Sequence, residues 1–176
     1  MKKLLFLLLA IATISCANQE KVEYNKTVID EEENVKMLVG YANREGFNQE
    51  PFKEWFDENY DGYTVNDSLA ELIKPEVKDK TLKLFMGTWC SDSQRETPSI
   101  YKLLDKIDFD YSKLELITLD REKATSDSLQ AGYNIDFVPT LIIYKNDNEL
   151  NRIVEYPIET LEQDLLKILR GEDYKH

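Results

Sequence analysis

The chain has 176 residues, of which 42% are hydrophobic, and this size and composition suit one compact domain. Its formal net charge of −12 repels phosphate backbones and acidic membrane surfaces, which argues against nucleic acid as a partner and against electrostatic membrane binding. The sole histidine is the last residue, His176, which argues against histidine-based metal sites and cysteine–histidine nucleophile pairs. We expect no metal and no cofactor.

Residues 1–15 are predicted to be a signal peptide that is removed from the mature protein. Lys2 and Lys3 form a basic start, and an apolar run of eleven residues follows from Leu4 to Ile14. A run of that length is too short for a bilayer, which takes about 20 residues to span, but it fits a secretory signal. The segment ends in Thr13-Ile14-Ser15-Cys16, which resembles the lipobox of bacterial lipoproteins, although Thr13 stands where that motif usually has leucine.

The lipobox resemblance implies that Cys16 becomes the lipidated first residue of the mature chain. The protein is then expected in the bacterial cell envelope, held by its lipid anchor and facing the periplasm or located at the outer membrane. A plain cleaved signal and an uncleaved anchor are the alternatives. The chain has two cysteines, so lipidation of Cys16 leaves Cys90 as the only thiol, and no intramolecular disulfide can form.

Between the signal and the motif-bearing part, two segments are predicted. Residues 16–34 are polar and aperiodic, which is typical of a tether between the lipid and the folded domain. Residues 35–80 are predicted to form a helical N-terminal extension of the domain. Its opening residues, Val35–Val39, are compatible with a strand or a helix end.

The extension is expected to contain two helices. Aromatic residues follow helical spacing after Pro51, a residue suited to a first helical turn. We interpret this aromatic face as one that packs on the core, and a ligand groove is the alternative. Asn66 or Asp67 is expected to cap the second helix, which Pro75 should end. The aromatic residues are Phe52, Trp55, Phe56 and Tyr60.

Residues 81–176 show a regular alternation of strand and helix patterns, which predicts an α/β fold. Its central mixed sheet should be antiparallel at the hairpin end and flanked by helices. The predicted strands are Thr81–Met86, Leu114–Leu119, Thr140–Lys145 and Leu150–Tyr156, the last two joined by a turn at residues 146–149. Three helices are predicted. The first follows Cys90, and its inward residues are Ile100, Leu103, Leu104 and Ile107; the second spans Ser126–Ala131. The third lies at the end of the chain, and its inward residues are Ile158, Leu161, Leu165, Ile168 and Leu169.

Cys90 lies where a strand passes into a helix, and this position favours a reactive thiol. The positive end of a helix dipole and the free amide groups there stabilise a thiolate. Asp92 opposes this effect, whereas Arg95 supports it. A buried, inert cysteine is the alternative, but the polar run after Cys90 argues against that interpretation.

Ser93 stands at the second place of a Cys-x-x-Cys spacing, and the sequence predicts a competing local role for it. Ser93-Gln94-Arg95-Glu96 matches a capping box, in which the serine hydroxyl and Glu96 bind backbone amides at the helix start. A hydroxyl cannot attack a mixed disulfide as a thiolate does, so Ser93 is not expected to resolve one.

From Thr81 onward the chain resembles the thioredoxin superfamily, and in particular thioredoxin-family lipoproteins of Bacteroidetes. Their site reads Gly-Thr-Trp-Cys-x-Asp-Ser-x-Arg-Glu-x-Pro. The positions that match here are Gly87, Thr88, Trp89, Cys90, Asp92, Ser93, Arg95, Glu96 and Pro98.

The resemblance implies a role for residues on either side of the thiol. Pro98 corresponds to a proline that kinks the active-site helix. Pro139 corresponds to a cis-proline that lies against the sulfur and helps to bind an extended substrate segment. Leu84 replaces a buried acid that assists proton transfer in thioredoxins. Cys90 and Ser93 are thus the candidate catalytic positions, and the candidate substrate-binding residues are Trp89, Val138, Pro139 and Thr140.

Two functions are compatible with this site. The first is thiol–disulfide exchange by the single thiol of Cys90, through mixed disulfides or disulfide isomerisation, with protein or low-molecular-weight thiols and disulfides as partners. The second is a non-catalytic module that binds an extended peptide or a protein. A thiol peroxidase is disfavoured because Thr88 lies only two residues before Cys90, which breaks the Pro-x-x-x-Thr-x-x-Cys spacing.

Overall fold

A computed structural model describes residues 22–175 of the chain. The helices are α1 (Phe52–Gly62), α2 (Asp67–Glu76), α3 (Ser91–Lys106) and α4 (Leu161–Arg170), with short 3₁₀ turns at Arg44–Asn48 and Tyr111–Lys113. The strands are β1 (Thr27–Asp30), β2 (Val35–Leu38), β3 (Gly40–Ala42), β4 (Thr81–Met86), β5 (Leu114–Thr118), β6 (Thr140–Lys145) and β7 (Asn148–Val154). In the described part, no helix is both long and apolar enough to cross a membrane.

Five strands form the main sheet in the order β3-β5-β4-β6-β7. Strands β4 and β5 run parallel, whereas the β3–β5, β4–β6 and β6–β7 pairs are antiparallel. The predicted mixed sheet with an antiparallel hairpin end is therefore confirmed. The hairpin turn consists of Asn146 and Asp147, both with positive φ, which matches the twist of a two-residue hairpin connection.

Alternate residues of the central strands enter two separate cores. Leu82, Leu84 and Met86 of β4 join a large cluster that includes the buried residues of all four helices. Phe85 points to the opposite face, where the cluster is small and includes no helical residue among its buried members. We call these the helix face and the loop face. The loop face is covered by the connection from β5 to β6, through Leu129, Tyr133 and Ile135.

The predicted helices of the extension are present and they bury their apolar sides on the helix face. Phe56 of α1 stacks on Phe47 with ring centroids 4.8 Å apart. The Asn66 side chain accepts a hydrogen bond from the Leu69 amide at 3.1 Å, so Asn66 caps α2 as predicted. The sequence predicted that helix α2 ends at Pro75, and it ends one residue later, at Glu76.

The N-terminal part contains more β-structure than the sequence predicted. Residues 27–30, inside the predicted tether, form β1 and pair with β2, which settles the ambiguous Val35–Val39 segment as a strand. Strand β3 joins the edge of the main sheet beside β5. The extension is therefore an integral part of the α/β fold rather than a purely helical addition. Residues 1–15 and Cys16 lie outside the described residues.

The predicted helix Ser126–Ala131 is wrong. This segment consists of successive turns, and Ser128 has a φ of 55°, a left-handed conformation that interrupts an α-helix. The Thr125 hydroxyl accepts a hydrogen bond from the Leu129 amide at 2.9 Å. In an α-helix that amide would donate to the backbone carbonyl four residues earlier, so the side chain competes with helix formation. Because this segment forms turns and not a helix, no helix of the described residues packs over the loop face.

The other boundaries differ from the sequence predictions by a few residues. Strand β5 ends at Thr118, and β7 spans Asn148–Val154 because the turn takes only two residues. Helix α4 begins at Leu161, so Ile158 precedes it and remains exposed. Gly171 ends α4 with a φ of 67°, which is the usual glycine C-terminal cap.

Candidate active site

Cys90 occupies the N-cap position of α3, at the end of the turn that leaves β4. Its backbone amide donates to the Gly87 carbonyl at 3.0 Å, and its own carbonyl accepts from the Gln94 amide at 2.9 Å. The side chain is half-buried and carries a free thiol. The predicted position at the positive end of a helix is therefore present, with the sulfur accessible from one side.

The turn before β6 lies directly against the sulfur. Val138–Pro139 is a cis peptide bond, as the family resemblance implied, and Cys90 Sγ lies 3.3 Å from the Val138 carbonyl oxygen. The Thr140 hydroxyl donates to the Phe137 carbonyl at 2.8 Å, and the Glu155 amide donates to the Pro139 carbonyl at 2.7 Å. Cys90, Val138 and Pro139 are thus brought together, and Thr140 holds the turn from within.

Trp89 packs on the loop face beside the thiol. Its indole Nε1 donates to the Leu119 carbonyl at 3.0 Å. A Cβ atom at Gly87 would lie 2.6 Å from the indole ring, so any larger residue at this position would have to displace the ring. The Arg121 guanidinium lies 5.6 Å from the ring and pairs with Asp30. That pairing lowers the pKa of the Asp30 carboxyl.

Ser93 does not form the predicted capping box. Helix α3 begins two residues earlier, at Ser91, and Cys90 is its cap residue. The fully buried Ser93 hydroxyl instead accepts a hydrogen bond from the Gly87 amide at 3.2 Å. Glu96 binds Arg95 rather than a backbone amide at the helix start. Ser93 therefore holds the end of β4 against the first turn of α3, which a helix-capping pattern in sequence could not reveal.

Arg95, which was expected to favour the thiolate, is held by two carboxylates. Its Nη2 atom lies 2.7 Å from Asp92, and its Nε atom lies 2.7 Å from Glu96. These ion pairs raise the pKa of Arg95, chiefly through the Glu96 hydrogen bond. Its positive charge is therefore compensated locally, and Arg95 supplies less support to Cys90 than the sequence alone suggested.

The sequence also missed the contact between the N-terminal strands and the site. The Leu38 amide of β2 donates to the Thr88 hydroxyl at 3.1 Å, in a buried position. Asn25 donates from its side chain to Asn43 at 2.8 Å, and its own amide binds the Tyr41 carbonyl at 2.8 Å. These bonds hold the β1–β2 hairpin beside the strand–helix turn that bears Cys90. Neither periodicity nor motif spacing carries a signal for them.

The place of the expected buried acid is apolar. Leu84, at the place of the expected buried acid, is fully buried and pairs with Leu116 and Leu141 on the neighbouring strands. Within residues 22–175, Thr97 has the one buried side-chain oxygen without a hydrogen-bond partner. No group of three acidic, cysteine or histidine side chains in the described part could hold a metal ion.

Comparison with known proteins gives the family. The thioredoxin family model matches residues 63–167, which is more than half of the chain. A crystal structure of a protein of unknown function from Pseudomonas aeruginosa superposes with a TM-score of 0.51; it is 17% identical and covers 68% of this chain and 84% of its own. No curated protein matches the sequence.

A second solved structure has the same degree of similarity. It is an HIV 4E10 epitope scaffold with a TM-score of 0.51 and 16% identity, and it covers 69% of this chain and 86% of its own. At these identities the two structures show the fold alone. The family match, the five-stranded mixed sheet and the turn that bears Cys90 agree with one another, and this chain belongs to the thioredoxin family.

Proposed function

We propose that this protein carries out thiol–disulfide exchange with the single thiol of Cys90. The observation that carries the proposal is the position of the sulfur. It is half-buried, it caps the N-terminus of α3, and it lies 3.3 Å from the carbonyl oxygen that precedes cis-Pro139. A thiolate at a helix N-terminus is stabilised by the helix dipole, and thiolates are the attacking species in exchange.

The reaction proposed has two displacement steps and no net redox change. The Cys90 thiolate attacks one sulfur of a substrate disulfide, a mixed disulfide forms, and the second substrate sulfur leaves as a thiolate that solvent protonates. A thiolate of the substrate or of another thiol compound then attacks the substrate sulfur of the mixed disulfide. That step forms a new disulfide and releases the Cys90 thiolate. Isomerisation of wrongly paired cysteines is the simplest outcome.

The residues around the sulfur have proposed roles in binding. Trp89 is proposed to form one side of the site and the Val138–Pro139 turn the other, so that a substrate segment would pass between them, while the buried Thr140 contributes by holding this turn. Ser93 is proposed to hold the strand–helix turn in place. The buried hydroxyl bound to the Gly87 amide supports that role, because such a bond stiffens the turn from which the thiol projects.

We further propose that the protein acts in the bacterial cell envelope through a lipid anchor on Cys16. The support is the order of basic, apolar and small residues that ends at Ser15-Cys16. Mass spectrometry of protein extracted from membranes is expected to find loss of residues 1–15 and a diacylglycerol group on Cys16. Recovery of unmodified protein from the soluble fraction would refute the anchor.

The alternative is a binding module without turnover. Two observations favour it: Cys90 is the free cysteine of the described part, and the interior behind it offers Leu84 in place of an acid. Such a protein would keep the cleft, meaning the surface between Trp89 and the Val138–Pro139 turn beside Cys90, for an extended peptide, and its thiol would be incidental.

The Ser93→Cys variant separates these possibilities, with Ser93→Ala as its matched control. Excess disulfide reagent is expected to leave one stable adduct on Cys90 of the native protein, detected by peptide mass mapping. Ser93→Cys should release the adduct as an internal disulfide forms. Ser93→Ala loses the hydrogen bond to the Gly87 amide without gaining a thiol, so its adduct should persist.

An insulin-reduction assay with dithiothreitol then compares turnover. Ser93→Cys should exceed both the native protein and Ser93→Ala, because only this variant can resolve its own mixed disulfide. Equal activity of the native protein and Ser93→Cys would show that Ser93 does not limit the chemistry. If no variant forms an adduct at Cys90, exchange is ruled out and the binding module is the remaining function.

A further inference from the structure

Two cationic side chains contact the residues around Cys90, and carboxylates already hold both of them. Arg95 binds Asp92 and Glu96, each at 2.7 Å. Arg121, which lies over the Trp89 ring, is paired with Asp30. Neither guanidinium therefore presents an uncompensated positive charge to a ligand that approaches the sulfur.

Further carboxylates lie near Arg121, in the turn of the β1–β2 hairpin. Glu32 and Glu33 follow Asp30 in the turn, and their amides donate to its carboxylate at 3.0 and 3.5 Å. The pKa of Arg121 is raised chiefly by its hydrogen bond to Asp30 and further by the charges of Glu33 and Glu32. The two glutamates are therefore near enough to act on this guanidinium. Lys36 of β2 is directed elsewhere, since its Nζ donates to the Glu50 carbonyl at 3.2 Å.

Carboxylates also lie beside the cis-proline turn that contacts the sulfur. Glu155 donates its amide to the Pro139 carbonyl at 2.7 Å, so its backbone lies directly behind the cis-proline. Glu155 and Glu96 both line the shallow pocket against Pro139, together with Ile100, Tyr156 and Pro157. Arg95 is shared by Glu96 and Asp92, so these three side chains keep one net negative charge, and no ion pair binds the Glu155 carboxylate among residues 22–175.

We propose that this cleft selects cationic disulfides, namely disulfide-bonded peptide segments with lysine or arginine beside the reacting cysteine, and that it disfavours anionic thiols and disulfides such as those of glutathione. The proposal rests on the thiol exchange described above and names its substrate class. Glu32 and Glu33 on one side and Glu155 on the other give the cleft an excess of negative charge. Such a field raises the local concentration of cations and lowers that of anions, and salt weakens it.

The test uses the full chain in a non-ionic detergent and three methanethiosulfonate reagents that differ in charge. The Cys90 thiolate attacks the sulfenyl sulfur of the reagent, a mixed disulfide forms, and methanesulfinate leaves. The trimethylammonium-ethyl reagent is cationic, the sulfonatoethyl reagent is anionic and the methyl reagent is neutral. Rates at Cys90 are followed by peptide mass mapping, and the ratio of cationic to anionic rates is divided by the same ratio for a short neutral cysteine peptide.

The normalised ratio of the native protein is expected to be well above one at about 0.01 M salt and to approach one at about 1 M salt, where screening is nearly complete. The cleft variant Glu32→Gln/Glu33→Gln/Glu155→Gln should lower the ratio about twofold at low salt, an estimate for three charges roughly one Debye length away. It leaves the pairs of Arg95 and Arg121 intact.

The matched control, Asp147→Asn/Glu172→Gln/Asp173→Asn, removes three charges far from the cleft. Asp147 lies in the hairpin at the Thr81 end of the sheet, opposite Cys90, and the other two follow the C-terminus of α4. This control should keep the native ratio. A native ratio equal to that of the peptide, or an equal fall in the control, would overturn the proposal. Failure of the neutral reagent to modify Cys90 would instead refute the exchange function itself.

Discussion

The two faces of the main sheet are packed in different ways, and the candidate site belongs to the face with the smaller buried cluster. On the helix face, buried residues from α1, α2, α3 and α4 meet alternate residues of the strands in one continuous cluster. On the loop face, the buried cluster comprises Phe85, Ile117, Leu119, Val138 and Ile142. Trp89 and Cys90 pack against this smaller cluster.

The difference separates the parts of the molecule that stabilise the fold from those that position the thiol. Burial of apolar surface on the helix face supplies most of the hydrophobic stabilisation, because that face buries many more large side chains. The loop face holds the site through individual hydrogen bonds and turns, such as those of Thr125 and Trp89. Substitutions on the two faces should therefore change different observables.

The largest effect is expected from Phe47→Ala on the helix face. Phe47 is 1% exposed and packs on Trp55, Phe56 and Tyr101. Removal of a buried phenylalanine ring should lower the free energy of unfolding by about 3–5 kcal/mol in urea denaturation. The alkylation rate of Cys90 in native buffer should stay within about twofold, since the loop face keeps its contacts. A large change in that rate would break the separation of the two faces.

The second prediction concerns Gly87→Ala on the loop face. The added Cβ atom would lie 2.6 Å from the Trp89 ring, so the indole must move and its hydrogen bond to Leu119 should be lost. Overpacking of this kind costs about 1–3 kcal/mol. We also expect a shift of the tryptophan fluorescence and a changed alkylation rate at Cys90. Trp55, on the helix face, also contributes to the fluorescence. The spectrum of Trp55→Phe is therefore compared with that of Trp55→Phe/Gly87→Ala. An unchanged spectrum would contradict the packing described.

Thr125→Ala tests whether side-chain hydrogen bonds hold the loop over the site. Thr125 accepts from the Leu129 amide at 2.9 Å and is 7% exposed. Its loss should lower the free energy of unfolding by about 1 kcal/mol and accelerate Cys90 alkylation, because the loop that covers this face opens more often. Asn66→Ala is the matched control: it removes a comparable cap on α2 and should cost about 1 kcal/mol with no change at Cys90. Equal alkylation rates in the two variants would refute the role of the loop.

The smallest effect is expected from Asp105→Asn, which depends on pH. Burial by itself would raise the pKa of Asp105, but hydrogen bonds from Tyr111, Tyr60 and Arg44 outweigh it and lower the pKa. A lowered pKa in the folded state means that the carboxylate stabilises the fold above about pH 4 and loses this contribution as the pH falls through the folded value.

Asp105 is about one third exposed, so solvent weakens its interactions. The variant should be about 1 kcal/mol less stable than the native protein at pH 7, and the difference should shrink below about pH 4. Urea denaturation at a series of pH values measures both. A difference that stays constant down to pH 3 would show that the charge of Asp105 does not contribute, and Cys90 alkylation at pH 7 should be unaffected.

The sequence predicted the site best where its signals were local. Thr81–Met86 was predicted with its observed bounds because short alternating or apolar runs directly report a strand. The aromatic spacing after Pro51 and the cap at Asn66 likewise report helices α1 and α2. Motif resemblance added the cis bond at Val138–Pro139, which spacing alone could not have suggested.

The failures have physical causes in competing or long-range interactions. Ser126–Ala131 was predicted as a short helix, yet the Thr125 hydroxyl and left-handed Ser128 favour turns. Ser93 fits a capping box, yet α3 begins at Ser91 and the hydroxyl binds Gly87 inside the fold. Where a side chain has two possible hydrogen-bond partners, the packing around it decides which bond forms, and local sequence does not encode that packing.

By itself, the sequence determined the strand, the turn and the helix that carry Cys90, and the lack of a second thiol at position 93, because each depends on neighbouring residues or on residue identity. Only the tertiary structure decided that β3 completes the sheet, that β2 binds Thr88, and that carboxylates from separate segments pair with the two arginines near the site. The physical reason is that strand pairing, burial and charge proximity join residues tens of positions apart, and their free energies depend on distances that only the folded chain establishes.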